Sequence, residues 1–281
     1  MKVDGRLIAS QIINRLMPRV SKLKQKGITP TLAVILVGDE KSSAIYVRQK
    51  ELKAKEIGAK TRIFRFDENV SNEKLGELIK TLDKDPNVHG VILQRPAPKA
   101  IDVERLVELI SPVKEVDGFG KESVYTVPVA AAVIEILNEI FKNLKVEESF
   151  EKWLSSQEVV VVGKGQTAGQ PIISSLRRSM VEPLVIDSKT ENKNEILKDA
   201  DVVILAVGKR EACETPALKN GVILIGVGLS ADDEGKTRGD YDEKEIESLA
   251  SFYTPTPGGV GPVNVAMLMK NLVEACENLS K

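Results

Sequence analysis

The chain has 281 residues, enough for two domains that each bury a core. Hydrophobic residues make up 42% and charged residues 29%, a globular balance rather than a disordered one. The formal net charge of −1 excludes a broad electrostatic pull toward nucleic acid or an acidic membrane surface, while leaving room for a local anionic site. No run reaches the roughly 18–20 apolar residues of a membrane span, and the opening MKVDGRLIAS holds no apolar core of signal-peptide length. The two cysteines, Cys213 and Cys276, share no metal-type spacing and read as reduced thiols, so no metal site is expected and the cytoplasm is the expected location.

In chain order, residues 8–26 form an amphipathic helix stopped by Gly27. Thr31–Val37 is an apolar run suited to a buried parallel strand. Residues 42–57 read as a helix ending at Gly58, Lys60–Phe66 as a strand, Asn72–Lys84 as a helix and residues 88–93 as a strand closed by Pro96 and Pro98. Pro128–Leu144 is a long helix, and the acidic stretch 147–158 is a connector. Residues 158–162, 183–187, 201–207 and 222–227 read as the strands of a second series, and residues 263–279 as a terminal helix that returns to the first domain. Strands alternating with helices indicate parallel α/β sheets in both halves.

Val159–Val162 runs into Gly163-Lys164-Gly165-Gln166-Thr167-Ala168, where Gly163, Gly165 and Ala168 fit G-x-G-x-x-G/A between a strand and a helix. Glycines there permit a tight turn and close approach to a pyrophosphate, and the helix N-terminus offers N–H groups and dipole to the phosphates. The next strand ends at Asp187, about 24 residues beyond Gly163, where an acid receives the adenosine ribose. The third ends at Ala206-Val207-Gly208, a second small-residue loop for the nicotinamide side. Asp187 argues for NAD, whereas Lys164, Ser188 and Lys189 argue for NADP by offering charge and donors to a 2′-phosphate. NADP is taken as the cofactor, with NAD the alternative.

A second constellation lies in the first half. Tyr46 and Lys50 are spaced i and i+4 on one helix face. Gln94 ends a strand, Asp117 sits in the turn Glu115-Val116-Asp117-Gly118-Phe119, and Thr254–Pro262 forms a rigid loop before the last helix. Each piece alone has an ordinary reading as a solvated helix face, a turn or a helix entry. Their joint order around a dinucleotide loop carries more. His89, the one histidine, precedes a buried strand and reads as structural.

These segments resemble the bifunctional methylenetetrahydrofolate dehydrogenase/cyclohydrolase family over nearly the whole chain. Val3-Asp4-Gly5-Arg6 is similar to its DGK-type opening. Val37-Gly38-Asp39 with Ser42, Tyr46-Val47 and Lys50 is similar to VGDxxAS…YVxxK. Leu93-Gln94-Arg95-Pro96-Ala97-Pro98 resembles VQLPLP, Lys114–Phe119 resembles KDVDGF, and Pro257–Pro262 is identical to PGGVGP. The resemblance implies a three-layer α/β folate-binding and catalytic domain at residues 1–120 with 258–281, a Rossmann-type domain at 121–257, and a homodimer. It implies that Lys50 is the lysine of the cyclohydrolase step, that Tyr46 lies beside the substrate, that Gln94 positions the Lys50 ammonium, and that Asp117 accepts hydrogen bonds from the pterin. Pro96, Gly258, Gly259 and Pro262 would contact the folate, while Gly163, Lys164, Gly165, Ser188, Val207, Gly208 and Leu229 would lie along the cofactor.

The chain departs from the family where Gly165 replaces a serine, Arg95 a leucine, Gly226 an acid and Asn264 a threonine. Arg95 beside Gln94 keeps open a dehydrogenase with weak or absent cyclohydrolase activity, pairing instead with the folate glutamate tail or opposing the charge on Lys50. Gly165 and Gly226 keep open a folate- or nucleotide-binding protein without turnover.

Overall fold

Thr31–Val37 reads TLAVILV, and all seven positions are buried, as a strand covered on both faces requires. In this computed structural model, which describes residues 1–39, 41–208, 217–231 and 237–281, that strand is the centre of a parallel sheet. The chain divides into two units, Ser10–Pro128 with Val265–Lys281 and Met1–Ala9 with Val129–Asn264. In the first, helix α1 (Gly5–Gln25, entering at Ser10) precedes β1 (Thr31–Val37), α2 (Lys41–Ile57), β2 (Lys60–Phe66), α3 (Asn72–Lys84), β3 (Gly90–Leu93) and α4 (Val103–Val107). The strand order β2-β1-β3 puts consecutive crossovers on opposite sides of β1. The carboxyl ends of β1 and β3 therefore flank a switch point, the edge where open α/β sheets bind ligands.

Ser71 starts α3 by accepting from the Lys74 N–H, and Asp102 does the same for α4 through the Arg105 N–H. Leu75, Ile79 and Leu82 of α3 pack with Val91 and Leu93 of β3 and Ile35 of β1 into one apolar core. β3 is shorter than residues 88–93 because Val88 is in a turn closed by its N–H on the Asp85 carbonyl. Beyond β3 the sheet gains one more pairing, a parallel bridge between Val91 and Glu115. Val265–Lys281 belong to this unit, so the terminal helix does return to the first half of the chain.

The second unit contains α5 (Pro128–Leu144, from Val129 on), α6 (Phe150–Ser155), β4 (Val159–Val162), α7 (Gly169–Arg178), β5 (Leu184–Ile186), α8 (Lys193–Asp199), β6 (Val202–Leu205) and β7 (Ile223–Gly226). It continues with β8 (Ser230–Ala231), β9 (Thr237–Arg238), α9 (Glu243–Ile246) and β10 (Phe252–Tyr253), and then α10 (Val260–Leu279) begins. Among the described residues the main sheet is parallel in the order β10-β7-β6-β4-β5, with β8 and β9 a separate antiparallel pair. Chain order reverses between β5 and β6 on either side of β4, so the crevice at the carboxyl end of β4 is again a switch point. Lys2 pairs in parallel with Tyr253, which ties the amino terminus to β10.

The connector expected at 147–158 contains α6, started by Ser149 and anchored by buried Trp153 and Leu154. One helical turn and a half has too few apolar positions to show a period. The terminal helix begins at Val260 rather than 263, because Pro262 falls in its first turn, where a missing N–H breaks no helical bond. No described helix is long and apolar enough to cross a membrane. Cys276 is buried, which pushes its thiol up to about 11. Cys213 and the Ser42 side chain lie outside the described residues.

Candidate active site

Lys50 and Gln94 meet at the carboxyl edge of the first sheet. The Lys50 ammonium donates to Gln94 Oε1 at 2.9 Å, and only 9% of the lysine is exposed. Gln94 is held twice. Its backbone N–H continues the β1 ladder onto the Ile35 carbonyl at 2.9 Å, and its side-chain amide donates to the Arg95 carbonyl at 2.5 Å. That second bond leaves Oε1 facing the lysine. Burial lowers the Lys50 pKa, and the charge of Asp117 opposes that shift. Tyr46, one helical turn earlier, is half-buried, and burial raises its hydroxyl pKa.

Asp117 is half-buried and reaches this edge because of residues around it. The bridge to Val91 places Glu115 beside β3, and Asn271 on the terminal helix donates to the Val116 carbonyl at 2.9 Å and the Thr126 carbonyl at 3.1 Å. The Glu115 carboxyl, 2% exposed, accepts from the Gly120 N–H at 3.1 Å and so closes the turn that carries Asp117. Sequence reasoning singled out neither Glu115 nor Asn271. Both act through contacts far along the chain, which no local spacing displays.

Burial, and then the Asp117 charge, push Glu115 up to about 7. Between its ordinary value near 4.5 and about 7 the folded chain therefore binds a proton that the unfolded chain has lost. The stability this confers is complete below about 4.5 and is lost as pH rises through about 7. Glu115→Gln carries no such proton. Its melting temperature is expected to gain on that of the wild type from about pH 5 to pH 8, equivalent to roughly 1–3 kcal/mol. A difference that stays constant with pH in thermal melts would contradict the assignment.

The Arg95 side chain is engaged by Phe119 and Glu104. Its guanidinium lies 4.5 Å from the centre of the Phe119 ring and pairs with Glu104 at 3.2 Å. The structure gives no support to an Arg95 charge acting on Lys50. Pro96 follows at the exposed end of this segment, after a cis Arg95–Pro96 bond. His89 stands at the opposite, amino-terminal edge of the sheet. Its Nδ1 accepts the Thr31 N–H at 3.3 Å, and burial lowers its pKa, as suits a neutral structural imidazole.

In the second unit the glycine-rich turn follows β4. Gly163 has φ +94°, and a Cβ there would stand 2.8 Å from the Ala206 carbonyl oxygen. The position that needs close helix–strand approach is Gly169, not Ala168 as the motif suggested. A Cβ on Gly169 would overlap the Gly163 carbonyl oxygen and lie 2.7 Å from its carbon. Ala168 is the residue before the helix, and no side chain caps it. Within the first turn of α7 the Gln170 N–H is taken by the Gly165 carbonyl at 3.0 Å and residue 171 is a proline, so the Gly169 N–H and the helix dipole are what this turn offers a pyrophosphate. Gly165 faces open space, so its replacement of serine removes a donor without serving packing.

Ser188 is exposed beside Asp187, Val207 and Leu229 are 38% and 40% exposed, and a Cβ on Gly208 would stand 3.3 Å from the Leu229 carbonyl oxygen. A residue not foreseen from sequence holds these loops together. Asp240, fully buried, accepts from the Gly208 N–H at 2.9 Å and the Gly228 N–H at 2.7 Å. The departure at Gly226 has a packing cause, since a Cβ there would lie 2.9 Å from the Tyr241 ring.

The loop Pro257–Pro262 also has its conformation set within this unit. Gly258 has φ +115°, and Gly259 packs so closely on Gly5 that a Cβ at Gly5 would overlap the Gly259 carbonyl oxygen. Asp4 caps α1 beside this contact, accepting from the Arg6 N–H at 2.9 Å and the Leu7 N–H at 3.2 Å. Among the described residues, no group of three or more His, Cys, Asp or Glu side chains is placed to hold a metal ion.

The family model for the tetrahydrofolate dehydrogenase/cyclohydrolase catalytic domain matches residues 3–117, and that for its NAD(P)-binding domain matches residues 131–280. The chain is 37% identical over 280 residues to the bifunctional protein FolD of Ligilactobacillus salivarius, covering 98% of this chain and 96% of that protein. The crystal structure of a bifunctional FolD methylenetetrahydrofolate dehydrogenase/cyclohydrolase from Campylobacter jejuni superposes with a TM-score of 0.91 at 31% identity, covering 99% of each chain. The Trypanosoma brucei enzyme, complexed with NADP cofactor and inhibitor, gives a TM-score of 0.90 at 28% identity, covering 100% of this chain and 98% of that one. With both family models matched and full-length relatives above 30% identity, the chain belongs to the tetrahydrofolate dehydrogenase/cyclohydrolase family.

Proposed function

We propose that this protein oxidises 5,10-methylenetetrahydrofolate with NAD(P)⁺ and hydrolyses the methenyl product to 10-formyltetrahydrofolate, acting in the cytoplasm as a homodimer. The observation that carries the reading is the buried Lys50 amine on Gln94, with Asp117 near enough to act on its charge. Residues 1–120 with 258–281 would serve the folate, with Pro96, Gly258, Gly259 and Pro262 in contact with it. Residues 121–257 would serve the dinucleotide through Gly163, Lys164, Gly165, Ser188, Val207, Gly208 and Leu229. When bound, the nicotinamide ring supplies the hydride acceptor.

The two steps ask different things of the chain. The nitrogens flanking the methylene carbon stabilise the cation left when hydride departs, so alignment suffices and no acid or base is needed. Hydrolysis of the methenyl cation needs a proton removed from the attacking water, one delivered to N5 as its bond to the carbon breaks, and the remaining hydroxyl proton released to solvent as the formyl carbonyl forms. Lys50 can do the first two in turn, because burial makes its neutral amine accessible and Gln94 Oε1 steadies the ammonium. Asp117 accepts hydrogen bonds from the pterin, and Tyr46 lies along the substrate.

The test is oxidation of methylenetetrahydrofolate by the purified chain, with NAD⁺ and NADP⁺ in parallel assays. Formation of the methenyl product with at least one of them is expected. Absence of product with both would leave a binding protein without turnover.

A further inference from the structure

β4 and β5 pair in parallel with Val162 opposite Ile186, and the Gly163 N–H continues that ladder onto the Ile186 carbonyl at 2.8 Å. The residues just beyond the two strands therefore emerge side by side at the carboxyl edge. They are Lys164 and Asp187, and they form an ion pair of 2.6 Å. This is the place where an acid at the end of the second strand receives the adenosine ribose, or where cations receive its 2′-phosphate.

The two partners are not equally free. Asp187 is built into its own turn: one carboxylate oxygen accepts the Lys189 N–H at 2.8 Å and the Thr190 hydroxyl at 3.2 Å, while its backbone N–H donates to Thr190 Oγ1 at 2.9 Å. Its side chain is 21% exposed, against 60% for that of Lys164. The acid is the fixed element and the lysine has come to it. The pair holds the Asp187 carboxyl down at about 2, so it stays ionised at any working pH.

We infer that the Lys164–Asp187 pair selects NAD⁺ over NADP⁺. A 2′-phosphate brought here meets a cation already neutralised and a carboxylate that cannot move away, whereas ribose hydroxyls can donate to that carboxylate. Gly165, facing open space, adds no donor, which leaves the exposed Ser188 and Lys189 as the groups that oppose this selection. This reverses the order expected from sequence, where Lys164, Ser188 and Lys189 together outweighed one acid. It rests on the dinucleotide reading of the second unit.

ADP-ribose and 2′-phospho-ADP-ribose, which lack the nicotinamide, separate selectivity from turnover. In calorimetric titrations of the full wild-type chain, ADP-ribose is expected to bind about 30-fold or more tighter than its 2′-phosphorylated form. Asp187→Asn, which frees Lys164, is expected to reverse that order. Lys164→Met, which leaves the fixed carboxylate unopposed, is expected to widen it, and keeps the inference testable if the Asp187 turn fails to fold when altered. Tighter wild-type binding of the 2′-phosphorylated form, or a ratio that neither substitution moves, overturns the inference while the dinucleotide site stands. Failure of both compounds to bind the wild type overturns the dinucleotide reading itself and the selectivity with it.

Discussion

Lys50→Met is expected to slow methenyltetrahydrofolate hydrolysis by about 10²–10⁴-fold, the usual worth of a positioned general acid–base, while hydride transfer falls far less. Methionine nearly fills the lysine volume, so the buried stem keeps its packing and only the amine is lost. Gln94 Oε1 then lacks its donor, but its amide remains on the Arg95 carbonyl. Lys50→Arg separates charge from chemistry. It restores a cation and can reach Gln94, yet a guanidinium does not release its proton in this range, so hydrolysis should stay low. Spectrophotometric assays of each step, run separately, check the pattern. Equal losses in both steps would indicate a positioning role, and normal hydrolysis by Lys50→Met would remove the lysine from the mechanism.

Gly169→Ala is expected to have the largest effect on dinucleotide binding. Its new methyl group would overlap the Gly163 carbonyl oxygen, and all three of its nearest neighbours are backbone atoms of Gly163 and Lys164. None of them can rotate aside as a side chain would, so α7 must tilt or the turn must open. Overpacking of this kind costs about 1–3 kcal/mol, and each kcal/mol lowers Tm by roughly 2–4 °C in a domain of about this size. ADP-ribose affinity should drop by about 100-fold or more, because the moved elements are those proposed to lie along the pyrophosphate. Gly165→Ala is the control for stability alone, since its methyl group meets no protein atom, while the same space is the dinucleotide's proposed approach. Calorimetric titration and thermal melts of both variants decide the matter. Similar melting temperatures of the two, or an unchanged ADP-ribose affinity in Gly169→Ala, would show that the tight approach at Gly169 is not what shapes the turn.

Glycine spacing alone cannot distinguish these positions. Gly163, Gly165 and Ala168 satisfied a familiar pattern, but the close approach falls one residue later, because the turn holds an extra residue before α7 begins. Long periodic elements were legible to the residue: β1, β2, α3 and α5 run where their apolar patterns place them. β10 has two residues and α9 four, too few to show a period, and β10 joins the sheet only through pairing with β7. Within the candidate site, Lys50 and Gln94 could be paired from the resemblance, and the structure places them 2.9 Å apart. Glu115, Asn271 and Asp240 could not, since each works through backbone groups that only the fold brings near. Arg95 shows the converse limit. Its proximity to Gln94 along the chain suggested an effect on Lys50, while in space it is engaged by Phe119 and Glu104.

The central claim is that one buried amine gives this dinucleotide enzyme a second, hydrolytic reaction. It is tested most directly by mixing the purified chain with methenyltetrahydrofolate and no dinucleotide, and following the loss of the methenyl chromophore. Hydrolysis well above the buffer rate is predicted, with Lys50→Met close to that buffer rate. A wild-type rate no faster than buffer would contradict the claim.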